Sequence, residues 1–267
     1  MKKTHLIFIT LFAFSVILNL FCLGIYINEH AFAKCVPVLL YHDVDKIENL
    51  NKYWPGDFTT TEEFEKQMAF LKKHHYKTIT LDELYKFVLK KKKLPKRSVL
   101  ITFDGGRTDI LNNAYPILKK YKFTATYFLL TSKIAKEEMY MNEEELNKIK
   151  DVFEFASHTY DLHYKIQDKD NKKVSVLLKT PKLEIIKDLE KSKRLADKPY
   201  FAYPYGKYNE EAIQALKDAN YIAAFALKGG VVKPGDDLYK LRRNTINYKT
   251  SFKKFQKIIR YKQKPKH

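Results

Sequence analysis

The sequence has 267 residues, of which 45% are hydrophobic, and its 50 basic and 31 acidic side chains give a net charge of +19. That apolar content can supply a substantial core and excludes an intrinsically disordered chain. The positive charge favours anionic surroundings, but a nucleic-acid-binding protein is not expected, because no zinc-finger spacing, recognition-helix pattern or RNA-binding aromatic motif is present.

The first element in chain order is an apolar stretch from Leu6 to Ile27, which follows two lysines and precedes the small-residue pattern at residues 31–33. This order is typical of an export signal, and the stretch is also about as long as the ~20 residues that span a bilayer. We therefore expect residues 1–33 to be a cleaved signal peptide or an N-terminal membrane anchor. The protein is accordingly expected to be secreted or to lie at the cell surface.

Residues 34–267 are predicted to form a single domain, because β-rich runs alternate with helical patterns and neither a repeat nor a long linker interrupts them. The predicted strands are VPVLLY, KTITL, SVLITF, FTATYFLL, FEFAS, YFAYP, YIAAFAL and LRRNTI. Overlapping capping-box signals at Thr59 and Thr60 predict the start of the first helix. Seven or eight β/α alternations favour an α/β fold, a distorted (β/α) barrel of seven or eight strands.

Polar residues follow many of these strands. In a parallel barrel the C-terminal ends of the strands converge on one face, where the chemistry takes place. Each residue alone also has a structural explanation, such as a helix cap or a turn. Two histidines five residues apart after a buried strand, in SHTYDLH, are more indicative, because neutral imidazole suits Zn²⁺, Ni²⁺ or Co²⁺. The strand-end residues are Tyr41, His42, Asp104, His158, His163, Pro204, Tyr205, Gly206 and Arg243.

Four motifs, VPVLLYHDV, TFDGGRTDILNNAYPILKKY, SHTYDLH and FAYPYG, resemble in this order the polysaccharide deacetylases of carbohydrate esterase family 4, the NodB-homology domain. The last two motifs are most similar to poly-N-acetylglucosamine deacetylases of the intercellular-adhesin type. The resemblance covers residues 36–250. It implies a distorted (β/α) barrel, a divalent metal and hydrolysis of N-acetyl groups from an N-acetylglucosamine polymer.

The resemblance also implies residue roles. Asp104 matches the base that takes a proton from water, and the backbone N–H of Tyr205 matches the oxyanion donor. His158 and His163 match metal ligands, and Arg243 is expected to keep Asp104 ionised through a charge-assisted contact. Substrate contacts are expected from the neighbouring motif residues, Tyr41, His42, Pro204 and Gly206.

Two departures from the family pattern bear on activity. Gly105 stands where the family has an aspartate ligand, and a catalytic zinc needs about three protein ligands. We therefore expect zinc, or alternatively nickel or cobalt, to bind weakly or not at all, unless Asp104 or Asp161 supplies the third ligand. The family's late histidine, which would protonate the leaving amine, is absent, because no histidine lies between His163 and His267.

Two functions fit these observations. The first is a metal-dependent deacetylase of an extracellular or cell-wall N-acetylglucosamine polymer with an atypical metal site, which Asp104, both histidines and Tyr205 favour. The alternative is a catalytically silent carbohydrate-binding barrel of the same fold, which Gly105 and the missing histidine favour. In either case we expect a monomer whose partners are the polysaccharide and an anionic cell-wall or membrane surface.

Overall fold

The computed structural model describes residues 14–20, 23, 31–52 and 57–261. Most of the predicted signal or anchor segment, residues 1–33, lies outside these residues. Within the described part of the chain, no helix is both long enough and apolar enough to cross a membrane.

The strands are short and lie throughout the domain. In chain order they are β1 (Val36–Tyr41), β2 (Asp43–Asp45), β3 (Phe58–Thr60), β4 (Lys77–Thr78), β5 (Ser98–Gly105), β6 (Ala125–Leu129), β7 (Phe153–Ser157), β8 (Lys165–Gln167), β9 (Lys173–Ser175), β10 (Lys198–Ala202), β11 (Ala223–Ala226), β12 (Val231–Val232), β13 (Leu241–Arg242) and β14 (Asn244–Thr245).

The helices alternate with these strands, as the sequence predicted. They are α1 (Thr61–Lys73), α2 (Leu81–Val88), α3 (Tyr115–Tyr121), α4 (Glu143–Lys148), α5 (Lys182–Ser192), α6 (Glu210–Asp218) and α7 (Phe252–Ile259). A π-helical turn at Ile110–Ala114 leads into α3. Pro116 lies in the first turn of α3, directly after this π-helical turn.

Eight strands form a nearly closed and mostly parallel sheet in the order β14, β1, β5, β6, β7, β10, β11 and β13, which confirms the predicted barrel. Only one residue, Arg243, separates β13 from β14, although these two strands pair with opposite edges of the sheet. The predicted strand LRRNTI is therefore two strands, and the residue between them lies where the barrel comes closest to closing.

The strands are buried on both faces, which explains their continuous apolar runs. Successive side chains of a strand point to opposite faces, so Leu100 and Phe103 of β5 belong to different core clusters. The cluster that contains Leu100 includes residues from one face of nearly every barrel strand. This cluster therefore fills the interior of the barrel. Asp104 has the same parity as Leu100, so the strand periodicity directs its side chain inward.

The ends of the first helices show how local sequence places these elements. Thr60 caps α1 by accepting a hydrogen bond from the backbone N–H of Glu63 at 3.1 Å, as the capping signals predicted. Thr80 and Glu83 form a full capping box at α2 that the sequence reading missed. Such caps contribute about 1 kcal/mol each. The caps therefore fix the residues at which α1 and α2 begin.

The sequence reading was wrong on several short strands. Only Lys77–Thr78 of the run KTITL is a strand, and the parallel pair β2–β3 and the hairpin β8–β9 were not predicted. These segments are two or three residues long. They carry too little periodic signal to distinguish them from loops.

Candidate active site

Asp104 and Arg243 form a buried ion pair at the C-terminal end of β5. The guanidinium of Arg243 donates from Nη1 to Oδ1 of Asp104 at 2.6 Å and from Nη2 to Oδ2 at 2.8 Å. Neither side chain is more than 4% exposed. Burial by itself would raise the pKa of the Asp104 carboxyl, but Arg243, with smaller contributions from His158 and His42, lowers it to about 2. The predicted pairing is confirmed, and Asp104 is ionised at neutral pH.

His158 lies directly after β7 and faces Asp104. Its Nδ1–H donates to the backbone carbonyl of Ala202 at 2.7 Å, because a carbonyl oxygen can only accept. Its Nε2 therefore carries a lone pair, and this atom lies 3.8 Å from Oδ2 of Asp104. Burial lowers the pKa of His158 to about 3, so the imidazole is neutral. A neutral imidazole held by a carbonyl at its other nitrogen is the arrangement typical of metal ligands.

His163 lies beside both His158 and Tyr205. Its ring centroid is 4.6 Å from that of His158 and 4.7 Å from that of Tyr205. The Tyr205 hydroxyl donates to the backbone carbonyl of His163 at 3.2 Å. Burial lowers the pKa of His163 as well. The two histidines thus share one centre at the C-terminal edge of the barrel, as predicted from their strand-end positions.

Tyr205 has an unusual backbone conformation. Its φ of 57° and ψ of 14° lie in the left-handed region, which a residue with a side chain seldom adopts and which costs on the order of 1–3 kcal/mol. The ammonium of Lys165 lies 4.5 Å from the ring centroid of Tyr205. The contacts with His163 and Lys165 fix the position of the tyrosine side chain. Strain retained beside two imidazoles and an ionised carboxylate is typical of functional sites.

His42 lies near the same centre and has a partner that the sequence reading missed. Its Nδ1 is 4.0 Å from Oδ1 of Asp57, and its side chain is 24% exposed. It is close enough to Asp104 to help lower the pKa of that carboxyl, and it also helps to lower the pKa of His163. Asp57 lies immediately before β3, a strand that was not predicted, so no sequence signal placed it at the site.

Two predicted substrate-contacting residues are buried instead, which corrects those predictions. Tyr41 is fully buried, its hydroxyl donates to Oε1 of Gln67 at 2.6 Å, and its ring packs on Phe64 and Phe103. The odd parity of Tyr41 in β1 turns its side chain to the helix-covered face, away from the barrel interior. Pro204 is also buried and shapes the turn that carries Tyr205.

Gly206 completes that turn. Its φ is +66°, and a Cβ at this position would lie 2.3 Å from Leu227 Cβ. The position therefore requires glycine. Substrate contact by Gly206 and His42 stays a prediction.

The described residues supply only part of a metal centre. The rings of His158 and His163 are neighbours, with centroids 4.6 Å apart, but no group of three His, Cys, Asp or Glu side chains within the described part of the chain could hold an ion. Asp104 already has both oxygens bonded to Arg243. Asp161, the other predicted third ligand, is exposed and accepts instead from the Ser132 hydroxyl at 2.9 Å. The residues present do not fit a complete three-ligand zinc site.

Gly105 stands at the position where the family resemblance implies an aspartate ligand. Its φ is +124°, and a Cβ built there would meet nothing within 4 Å. Space for a side chain exists at this position, but the backbone conformation is one that favours glycine. A side chain at position 105 would therefore have room, but its backbone would be strained.

A second acidic cluster lies beside the site. Nε of Arg107 is 2.6 Å from Oδ1 of Asp43 and 3.6 Å from Oδ1 of Asp109. Asp109 also accepts from the backbone N–H of Val44 at 2.7 Å. Burial and the neighbouring Asp109 carboxyl raise the pKa of Asp43 to about 8, although Arg107 acts in the opposite direction. The cluster ties β2 to the segment after Gly106, which gives Asp109 a structural contact in the fold.

Comparison with known proteins agrees with this geometry. Residues 91–224 match the family model described as polysaccharide deacetylase. A Staphylococcus aureus protein named poly-beta-1,6-N-acetyl-D-glucosamine N-deacetylase is 36% identical over an alignment of 230 residues, and the match covers 78% of each chain.

Solved structures show the same fold. The Streptococcus pyogenes deacetylase PplD in complex with acetate has a TM-score of 0.73 at 21% identity, covering 84% of this chain and 98% of its own. IcaB from Ammonifex degensii has a TM-score of 0.72 at 24% identity, covering 86% and 97%.

Proposed function

This chain belongs to the polysaccharide deacetylase family, and we propose that it removes N-acetyl groups from poly-β-1,6-N-acetylglucosamine, the polymer named for its staphylococcal relatives. The observation that carries the proposal is the ionised Asp104, paired with Arg243 and 3.8 Å from the neutral His158. A barrel that only bound carbohydrate would not need a buried ion pair beside two neutral imidazoles. The silent barrel is therefore not favoured.

Hydrolysis begins with a water molecule between Asp104 and the acetyl carbonyl. Asp104 takes one proton from the water as its oxygen bonds to the carbonyl carbon, and the carbonyl oxygen becomes an oxyanion. The backbone N–H of Tyr205 donates to this oxyanion. The C–N bond then breaks, the sugar nitrogen takes up a proton, and the products are acetate and a free amino sugar.

The proton for the leaving nitrogen comes from His42 in this proposal. The sequence reading left this acid unassigned because the late histidine is missing. His42 is the imidazole whose position supports the role, because it lies close enough to Asp104 and His163 to help lower the pKa of each. Its Nδ1 is 4.0 Å from Oδ1 of Asp57.

We propose that a divalent metal, where it binds, is held only weakly. His158 and His163 would hold it, and zinc is the first candidate, with nickel or cobalt as alternatives. Such an ion would act as a Lewis acid when bound. Two neutral ligands leave its charge uncompensated, so we expect low affinity.

We further propose that the enzyme acts outside the cytoplasmic membrane, where its polymer substrate is accessible. The export signal in residues 1–33 and the net charge of +19 support this location, since wall polymers and lipid headgroups are anionic. Fractionation of cells should recover the protein from the membrane or the medium. Recovery of the full-length chain only from the cytosol would contradict the location.

The test of function is release of acetate from defined oligomers. The purified protein is incubated with β-1,6-linked and β-1,4-linked N-acetylglucosamine oligomers, and acetate and free amine are measured together. We expect equal amounts of both products, with the β-1,6-linked oligomer preferred. Asp104→Asn should abolish the reaction, because an amide cannot take the water's proton.

Controls separate the parts of the proposal. His42→Gln should lower kcat by about 10²-fold while leaving the fold intact, as expected for loss of a general acid. Activity on neither oligomer, with and without added zinc, would refute the proposed function. Activity unchanged in His42→Gln would refute only the assignment of the acid.

A further inference from the structure

The two histidines of the site are joined by a loop that is held in a strained conformation. Thr159, which follows His158, has a φ of +79°, although it is β-branched. The segment after β6 supports one side of the loop, because the backbone N–H groups of Thr131 and Ser132 donate to the carbonyls of Thr159 and Tyr160 at 3.2 and 2.9 Å. A strained loop keeps one geometry only where its surroundings over-determine it.

Asp188 holds the other side of this loop. One of its carboxylate oxygens accepts from the backbone N–H of Tyr160 and the other from that of Asp161, each at 2.8 Å. Asp188 lies on α5 and is only 8% exposed. A carboxylate that accepts from two consecutive N–H groups fixes the orientation of the peptide plane between them. The contact therefore sets the path of the chain from His158 to His163.

A second contact from α5 acts on the start of the loop. Ser192 lies one helical turn after Asp188, and its Oγ is 2.8 Å from Oγ of Ser157. The Ser157 hydroxyl in turn accepts from the backbone N–H of Thr159 at 3.2 Å. Ser192 donates its own hydrogen to the carbonyl of Leu189 at 2.8 Å, so Ser157 donates to Ser192. One buried polar face of α5 thus supports both ends of the strained segment.

We propose that Asp188 is a positioning residue for the reaction, and that it acts through His158 and His163 by fixing the loop between them. The proposal rests on the proposed function for its effect on catalysis. Asp188 itself bonds only to loop backbone and has no role in proton transfer. Its removal should change the orientation of the imidazoles, and such outer contacts typically contribute about 10- to 100-fold to activity.

The experiment compares substitutions on one helix. Asp188→Asn keeps the shape but offers one accepting oxygen instead of two, and Asp188→Ala offers none. Glu184→Gln is the matched control, since Glu184 is an exposed carboxylate on α5 whose nearest cation is Lys187 at 2.8 Å. Ile259→Ala, a core change on α7, supplies a variant that is destabilised without touching the loop. Deacetylation kinetics, melting temperature and amide hydrogen exchange are measured for each.

We expect kcat to fall about 10-fold in Asp188→Asn and further in Asp188→Ala, with KM changed less than about twofold. The amides of Tyr160 and Asp161 should lose protection from exchange in both variants. Glu184→Gln should resemble the wild type in kcat and exchange. If Asp188→Ala does not fold, the isosteric Asp188→Asn decides the matter.

Three results would overturn the proposal. The first is a kcat for Asp188→Asn within about twofold of the wild type. The second is the same loss of kcat in Ile259→Ala at an equal melting temperature, which would make the effect one of general stability. The third is rapid exchange of both amides in the wild type. Amide exchange does not depend on catalysis. A wild type inactive on every oligomer would therefore refute the proposed function. Loss of protection of the Tyr160 and Asp161 amides in the Asp188 variants alone would still support the anchoring of the loop by Asp188.

Discussion

Replacement of Gly105 by aspartate tests whether a carboxylate at this position completes a metal site with His158 and His163. The backbone at this position has a φ of +124°, so any side chain is strained there, at a cost on the order of 1–3 kcal/mol. For a domain of this size 1 kcal/mol shifts the melting temperature by about 2–4 °C. Gly105→Asp should therefore melt roughly 2–12 °C below the wild type when no metal is present.

Zinc should reverse part of this loss. Nothing lies within 4 Å of a Cβ at position 105, so a new carboxylate has room to turn toward His158 and His163 and complete a three-ligand set. Binding to the folded state alone stabilises by about 2.7 kcal/mol when the ligand is at 100 times its Kd. That gain is similar in size to the strain.

The assay is thermal unfolding with chelator and with excess zinc. Gly105→Asn is the matched control, because it has the same shape and the same backbone strain but no negative charge. We expect both variants to be destabilised equally in chelator, with zinc raising the melting temperature of Gly105→Asp alone. Equal responses to zinc in the two variants would refute the reasoning about ligand charge. A Gly105→Asp variant as stable as the wild type in chelator would refute the reasoning about strain.

The remaining predictions concern the charged groups. Arg243→Met should destabilise the fold by about 3–5 kcal/mol in urea denaturation, because it leaves the Asp104 carboxylate buried and unpaired, and adding Asp104→Asn should recover much of the loss. The folded-state pKa of Asp104 is lowered to about 2, so the stability that its ionisation contributes should be present above about pH 4 and lost as the pH falls through 2. Asp104→Asn should not show this loss of stability at low pH. The folded-state pKa of Asp43 is raised to about 8, so its contribution is present below about pH 4 and lost as the pH rises toward 8. The melting temperature of Asp43→Asn minus that of the wild type should therefore be larger at pH 8.5 than at pH 4.5. The same difference at both pH values would contradict the raised pKa.

The candidate site was largely predictable because its chemistry lies at strand ends. Strand periodicity and the four motifs located Asp104, His158, His163 and Tyr205, and the barrel brings them to one edge because parallel strands all end on the same side. The pairing of Arg243 with Asp104 was also anticipated. That expectation came from the family resemblance alone, because the strand pattern had joined β13 and β14 into one strand, and only the structure shows that they pair with opposite edges of the sheet.

Several outcomes depended on contacts between segments distant in the chain. Tyr41 is the last residue of β1 and His42 comes directly after it, yet Tyr41 turns into the core and His42 toward the site, because successive residues of an extended chain face opposite ways. Asp57 reaches His42 only because β2 and β3 pair, and these strands are too short to be read from periodicity.

The amino-acid sequence by itself determined which residue types stand at the ends of the barrel strands, since local periodicity and turn signals are encoded within a few residues. Only the tertiary structure decided which of those residues meet and in what state of ionisation. The low pKa of Asp104, the neutral His158 and the support of the histidine loop by Asp188 all arise from burial and from partners more than 25 residues away. Such contacts follow from the packing of whole elements, and no local pattern records them.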